Sequence, residues 1–512
     1  MNPIRPLQLT LELMGLSASI AAVWGVLLAM CLGLTPDQTR IGRFVRRYAL
    51  LGLIACLATP LVLHAAVWEA TAGKFGWMTF SQTAARTYTG LAGRFSGLIA
   101  SAWIHGVFGA GLVALATWYG TSRVNAAVVD QSRLDGGPLW AWWRVRLPIA
   151  APWVIAGILA TAVLAATEMT VVNLYGVRTL ADEFYLFYAV DPSPTAVAMV
   201  LVLPGATFLA GLTGWAVTRR RRIETSLYES SASASLPDGS ERNAVTESLA
   251  MLGAVVLSTL LFAFPAVGLV LKAGQQITVS DDAGGRAVAS WSLRHCVQLL
   301  AAAPGEFTAE YAWTAVLAAG TVCCCVPVAW ILAAIGRTRS RLRMCVDLVS
   351  LVMVLIPGPL VGLAVIGVFQ WPFPGFHVLY HETVVPTLAA LSVRALPISY
   401  WVMRTGYAGV DRSVLDVARI DLSWCDRMMR VDRVLVVRPL LVAAFAAALS
   451  AGGDVPAILP VIPPEVVTVG TRLFALLHSG ARNQEAALAF WYVAAMILVA
   501  LALAVCWKPR RR

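Results

Sequence analysis

The sequence predicts an all-α integral membrane protein with about 11 transmembrane helices in two pseudo-symmetric halves. Three observations lead there. Apolar residues make up 59% of the chain and charged residues only 13%, roughly half the charged share of a soluble domain. Apolar runs close to spanning length recur from one end of the chain to the other. Two polar loops between such runs match each other at an offset of 286 residues.

A helix needs about 20 residues to cross the hydrocarbon core, and a backbone in lipid must close its own hydrogen bonds. On that basis the first half holds spans at about 10–33, 49–69, 96–118, 149–172 and 195–217. The second holds spans at about 247–271, 311–336, 347–369, 384–403, 434–453 and 486–507. The halves are therefore 1–218, with about five spans, and 247–512, with about six. Between them 219–246 opens with Arg219 to Arg222 and runs through a Ser/Ala/Glu stretch, which reads as a solvated linker.

The net charge of +11 has a membrane explanation rather than a nucleic-acid one. Arginines cluster in alternate loops, from Arg40–Arg47 through Arg123–Arg146 and Arg337–Arg343 to Arg404–Arg433. With the N-terminus outside, 27 of the 39 basic residues fall on the inner side. The positive-inside pattern then predicts a cytoplasmic C-terminus in a cell inner (plasma) membrane. The run after Met1–Thr10 has no small-residue cleavage signature. The nine cysteines form no metal-type spacing, and Cys323 to Cys325 read as helix-packing residues.

The repeat has identifiable members. Asp130, Arg133, Asp135, Arg144 and Val145 recur as Asp416, Arg419, Asp421, Arg430 and Val431. Thirty-eight residues after each leading Asp stands another acid, Glu168 and Asp454. The first loop, 124–148, also carries Ser132, Gly136, Leu147 and Pro148. The second, 410–434, keeps Ala418 but has Leu422 in place of the Gly and Arg433-Val434 in place of Leu-Pro. An acid is expected to open a short helix, where it suits the dipole, and Gly136 to end or bend it.

These loops resemble the EAA loop of ABC importer permeases: E-A-A, three residues, Gly, about nine residues, then apolar-x-Leu-Pro. The double-length layout resembles the fused iron(III), thiamine and polyamine branch, whose E-L-P-A-T motif is similar to Asp454-Val455-Pro456-Ala457. The resemblance implies the type I ABC permease fold and a role in transport rather than catalysis, with no cofactor. Asp130, Ser132, Gly136, Leu147, Pro148, Asp416 and Ala418 would form the coupling loops that dock on two copies of a separate ATPase subunit. A periplasmic binding protein would deliver the substrate, with iron(III) the first expectation and thiamine, a polyamine or a phosphonate open. An ion-gradient-driven secondary transporter is the alternative; it too would carry internal repeats, but with acids at the bilayer midplane.

Acids bordering a span usually face a cavity or a partner. Glu168 and Asp454 are thus candidates for lining the pathway, against the plainer reading that each caps a broken helix end. Arg394, within a span, could balance Asp454. His64 and His105 read as packed histidines, and Gly274–Glu310 as a plain outer loop without a calcium pattern. The only lysines, Lys74, Lys272 and Lys508, are not followed by Ser or Thr. This excludes a G-x-x-x-x-G-K-[ST] phosphate loop. ATP hydrolysis by such a loop would have to come from another chain.

Overall fold

The computed structural model describes residues 4–72, 96–188, short helical stretches within 197–209, 244–280, 286–479 and 483–506. The helices begin with α1 (Ile4–Leu34), α2 (Arg40–Ala58), α3 (Leu61–Ala72), α4 (Gly97–Ser122) and α5 (Ala126–Ala141). They continue with α6 (Leu147–Thr167), α7 (Thr170–Leu174), α8 (Leu180–Tyr188), α9 (Ala244–Ser258) and α10 (Phe264–Ala273). A hairpin of β1 (Gln275–Ser280) and β2 (Arg286–Trp291) leads to α11 (Leu293–Glu306). After it come α12 (Thr308–Thr338), α13 (Ser340–Leu355), α14 (Gly358–Phe369), α15 (Phe376–Glu382) and α16 (Val385–Ala408). The rest are α17 (Arg412–Asp421), α18 (Trp424–Arg427), α19 (Arg433–Leu435), α20 (Val437–Gly453), α21 (Val455–Ile458), α22 (Val469–Ser479) and α23 (Gln484–Cys506).

Among the described residues, six helices are long and apolar enough to cross a membrane, or nine spans if each of three bent pairs counts as one. The chain is a multi-pass, all-α membrane protein. Each expected span has a helix at its place except 195–217, most of which lies outside the described residues. So does the linker 219–246, apart from its last three residues. Two spans that read as continuous in the sequence are bent, α2–α3 by 111° and α13–α14 by 109°, and the end of the second loop, Trp424–Leu435, meets α20 at 83°. Pro60 and Pro357 sit in the first two breaks. A proline has no N–H for the helix ladder and pushes the residue before it out of the helical region; Ile356, before Pro357, is extended at φ −74°, ψ 125°.

The segment after Gly274 is not the plain loop that its glycines and acids predict. Strands β1 and β2 pair antiparallel from Gln275 opposite Trp291 to Ser280 opposite Arg286. Ile277, Thr278 and Val279 supply the β-branched run that favours a strand, and the indole N–H of Trp291 donates to the Leu271 carbonyl at 3.1 Å. Asp281, Asp282, Gly284 and Gly285 lie outside the described residues.

The chain forms two compact units. One comprises Met1–Leu57, His64–Ala301 and Arg482–Phe490; the other Ala58–Leu63, Ala302–Ala481 and Trp491–Arg512. In the first, α1, α4 and α6 pack on one another, and α9 lies on α1. Leu28, Leu32, Leu53, Ala114 and Ala254 form the core between them. The helix pair α9–α10, which the sequence places at the start of the second half, therefore belongs to the first unit. There Lys272 at its end forms a buried ion pair with Glu485 in the first turn of α23. In the second unit α12, α16 and α20 pack on one another, around Tyr400, Met403, Tyr407, Val436 and Ala443.

The loop repeat extends into this packing. Helices α5 and α17 start 286 residues apart, as do the two five-residue π-helical turns Trp142–Arg146 and Met428–Asp432. Gly120 and Gly406 share that offset. A β-carbon on Gly120 would fall 2.7 Å from the Trp153 ring, and one on Gly406 2.3 Å from Pro439. Trp153 and Pro439 are again 286 apart. In both units a glycine lets the span before the loop pass against the span after it, as small residues do at membrane helix contacts.

Candidate functional site: two loop helices and two capping acids

Each loop opens on an Asx cap. The Asn125 side chain accepts the N–H of Ala127 at 2.9 Å, and Asp411 accepts that of Ser413 at 3.0 Å. Such caps satisfy one of the orphan donors at a helix start. Asp130 and Asp416 therefore do not open their helices, as the motif reading expected; each sits a turn further in. There Asp130 pairs with Arg133 at 3.3 Å and Asp416 with Arg419 at 3.0 Å. This i, i+3 pair joins neighbours on one helix face.

Ser132 and Ala418 occupy the same position, and both are buried while the residues beside them are exposed. The Ser132 hydroxyl donates to the Val129 carbonyl at 2.7 Å. Two residues on, Leu134 is 72% and Ile420 82% exposed. A large apolar side chain thus stands out from each loop helix at the matching position.

The bend falls one residue later than Gly136. Gly137 has φ 81° and ψ 176°, a conformation open essentially only to glycine, and Pro138 follows it. Gly136 instead gives room to the Trp140 ring, 2.6 Å from where its β-carbon would stand. The second loop replaces this break by different chemistry. Leu422 and Ser423 are extended, and the Ser423 hydroxyl accepts the N–H of Asp426 at 3.2 Å while donating to that carboxylate at 2.6 Å. The loss of the Gly at Leu422 therefore does not remove the break. Leu147 and Pro148 begin α6, which continues directly from the π-helical turn, the Leu147 N–H donating to the Trp142 carbonyl. In the second loop the chain bends instead at Val436, ahead of Pro439.

Glu168 and Asp454 end α6 and α20 and begin the short helices α7 and α21. The Glu168 carboxylate accepts the N–H of Thr170 at 2.6 Å and of Val171 at 3.0 Å. Asp454 accepts that of Ala457 at 3.2 Å. Each also faces a base from the span before its loop. His105 Nε2 lies 3.5 Å from Glu168 Oε2, and its Nδ1–H donates to the Ser101 carbonyl at 2.7 Å. Arg394 Nε donates to Asp454 Oδ2 at 2.8 Å, and its Nη1 to the Ile356 carbonyl at 3.0 Å. Each acid thus caps a helix end and faces a side-chain partner, and the expected Arg394 partnership with Asp454 is present.

Four functional candidates escaped the motif reading. Asn125 and Asp411 were within reach of it, since the 286-residue offset carries five positions upstream of Asp130. Gly137 stood beside the glycine that the motif selects. His105 was not legible as the partner of Glu168, because the offset places Leu391 opposite it and Arg394 one helical turn further along the same face. His64, the other packed histidine, donates Nε2–H to the Cys56 carbonyl at 2.8 Å. Among the described residues no group of three or more His, Cys, Asp or Glu could hold a metal ion. The chain matches no model of a known protein family and no curated protein.

Proposed function

We propose that the chain is the permease subunit of a type I ABC importer, with two fused halves, and that α5 and α17 are its coupling helices. The observation that carries this reading is the pairing of Leu134 and Ile420. Each stands exposed on a short polar helix, at one position of a repeat whose cap, Asp–Arg pair and buried small residue all recur. Two matching apolar knobs, each on a capped helix, fit two copies of one partner, and an ATPase dimer is such a partner. Closure of the two ATPases would then move the spans that follow the loops, between inward- and outward-open states. With the N-terminus outside an inner membrane, the orientation the arginine-rich loops favour, both knobs would lie on the cytoplasmic side, where ATP is available. The substrate class is a small solute handed over by a periplasmic binding protein, iron(III) first.

The test is purification of the full-length tagged chain from its own membrane, followed by assay of the eluate for ATP hydrolysis and identification of its subunits. An ATPase subunit should co-purify, and both Leu134→Asp and Ile420→Asp should release it, since neither side chain is part of a core. Asp130→Lys should impair coupling more than Asp416→Lys, because Asp130 is the more buried of the two. A transport-competent preparation without an ATPase, taking up solute on an ion gradient alone, would overturn the proposal.

A further inference from the structure

We infer that the basic cavity where α12, α13 and α16 meet binds a phosphate-bearing anion. The cavity has a volume of about 290 Å³ and none of its lining residues is acidic. Its charge comes from Arg337, Arg343 and Arg404; its remaining polar wall is Tyr400 and Tyr407.

The arginines are held in different ways. Arg337 spends its fork on the carbonyls of Tyr407 and Val410, the latter at 2.8 Å, which fixes a positive charge at the last turn of α12. Arg404 pairs with Asp347 at 2.7 Å, and the same carboxylate accepts the Tyr400 hydroxyl at 3.0 Å. Tyr407 donates to Asp432 at 3.1 Å, a carboxylate that also faces Arg427 at 3.6 Å. Both acids behind the wall are thus engaged. Arg343 has no ion pair among the described residues.

A second observation points the same way. Helix α13 has no side-chain cap and no acid in its first turn, yet Arg341 and Arg343 stand there, at the positive pole of the helix dipole. That placement is unfavourable for a cation and favourable for an anion beside it. Guanidinium forks match phosphate oxygens bidentately. The cavity is smaller than the roughly 300–1,000 Å³ of sites that enclose drug-sized ligands, and so suits a headgroup-sized anion. It lies where two spanning helices end and a third segment begins, the level at which lipid headgroups sit. An anionic phospholipid is therefore the favoured source, and a free phosphate compound the other.

Anion binding at this cavity needs no ATPase partner and can be measured without one. The full-length chain is purified into nanodiscs of phosphatidylcholine with phosphatidylglycerol, and retained lipid is read by native mass spectrometry and by competition with inorganic phosphate. Wild type should retain phosphatidylglycerol over phosphatidylcholine, and Arg343→Gln should weaken that retention roughly tenfold, the loss of one charge-assisted contact. Arg341→Gln, which removes the same charge from the same turn without lining the cavity, should leave it unchanged. Arg343→Lys should recover part of it. Binding of inorganic phosphate that is lost in Arg343→Gln, with no preference among lipids, would keep the site and assign it to a free phosphate compound. Equal losses in Arg341→Gln and Arg343→Gln, or neither lipid preference nor phosphate binding in a folded wild type, would overturn it, leaving these arginines as topology anchors alone.

Discussion

Arg394 and Asp454 are joined by a 2.8 Å bond from the guanidinium Nε to a carboxylate that also caps α21. One acid therefore fixes both a helix start and a charge lying within a span. Removing the arginine leaves a carboxylate largely out of water and short of one partner. Arg394→Met should destabilise the folded chain by about 3 kcal/mol, the low end for breaking a buried pair, since both side chains keep some exposure. Asp454→Asn, which retains a capping oxygen, should cost less than Asp454→Ala. Denaturant unfolding of the full-length chain in nanodiscs measures all three, and equal costs for the two Asp454 variants would show that the cap contributes nothing.

Gly137, not Gly136, carries the backbone requirement of the first loop. Its φ of 81° makes Gly137→Ala strained by about 1–3 kcal/mol. Gly136→Ala keeps an ordinary backbone but meets the near end of Trp140, its Cγ at 2.6 Å and its Cβ at 3.0 Å, so its cost runs through that side chain. Limited proteolysis within 126–146 should thus accelerate in both variants, with Trp140→Ala relieving the effect of Gly136→Ala and leaving that of Gly137→Ala in place.

The Asn125 and Asp411 caps are equivalent by geometry. Asn125→Ala and Asp411→Ala should each cost about 1 kcal/mol, seen as faster amide exchange in the first turn of α5 and α17 respectively. Loss of protection in one helix alone would mean that the loops, alike in sequence offset, are not alike in local stability.

Asp182, at the start of α8, is a buried acid outside the spans. Burial pushes its carboxyl above the ordinary value, and the Asn173 amide at 2.7 Å and Arg178 pull against that shift. A raised value means the folded state holds the proton longer than the unfolded one. Its contribution to stability is therefore present in full below the ordinary carboxylate range and lost as pH rises through the raised value. Asp182→Asn, still able to accept from Asn173, should flatten the pH dependence of unfolding in that window. Unchanged profiles would exclude Asp182 as its source.

The sequence by itself determined that this is an all-α membrane protein and where its long apolar helices lie, because the cost of an unsatisfied backbone in lipid leaves helix as the form an apolar run takes; it did not mark the shorter helices α8, α11, α15 and α22. It also determined the 286-residue repeat, since five identities and two acids in one register are a one-dimensional signal. Tertiary structure decided what those residues do. A helix bends where a proline removes a donor or a glycine takes a positive φ, so runs of uniform hydropathy such as Leu51–Trp68 concealed a 111° turn. Helix α9 joined the first unit because its small residues fit against α1. Glu168 and Asp454, which hydropathy marks only as costly acids near span ends, became caps with His105 and Arg394 beside them. A carboxylate meets its partners only when the helices that carry them pack side by side.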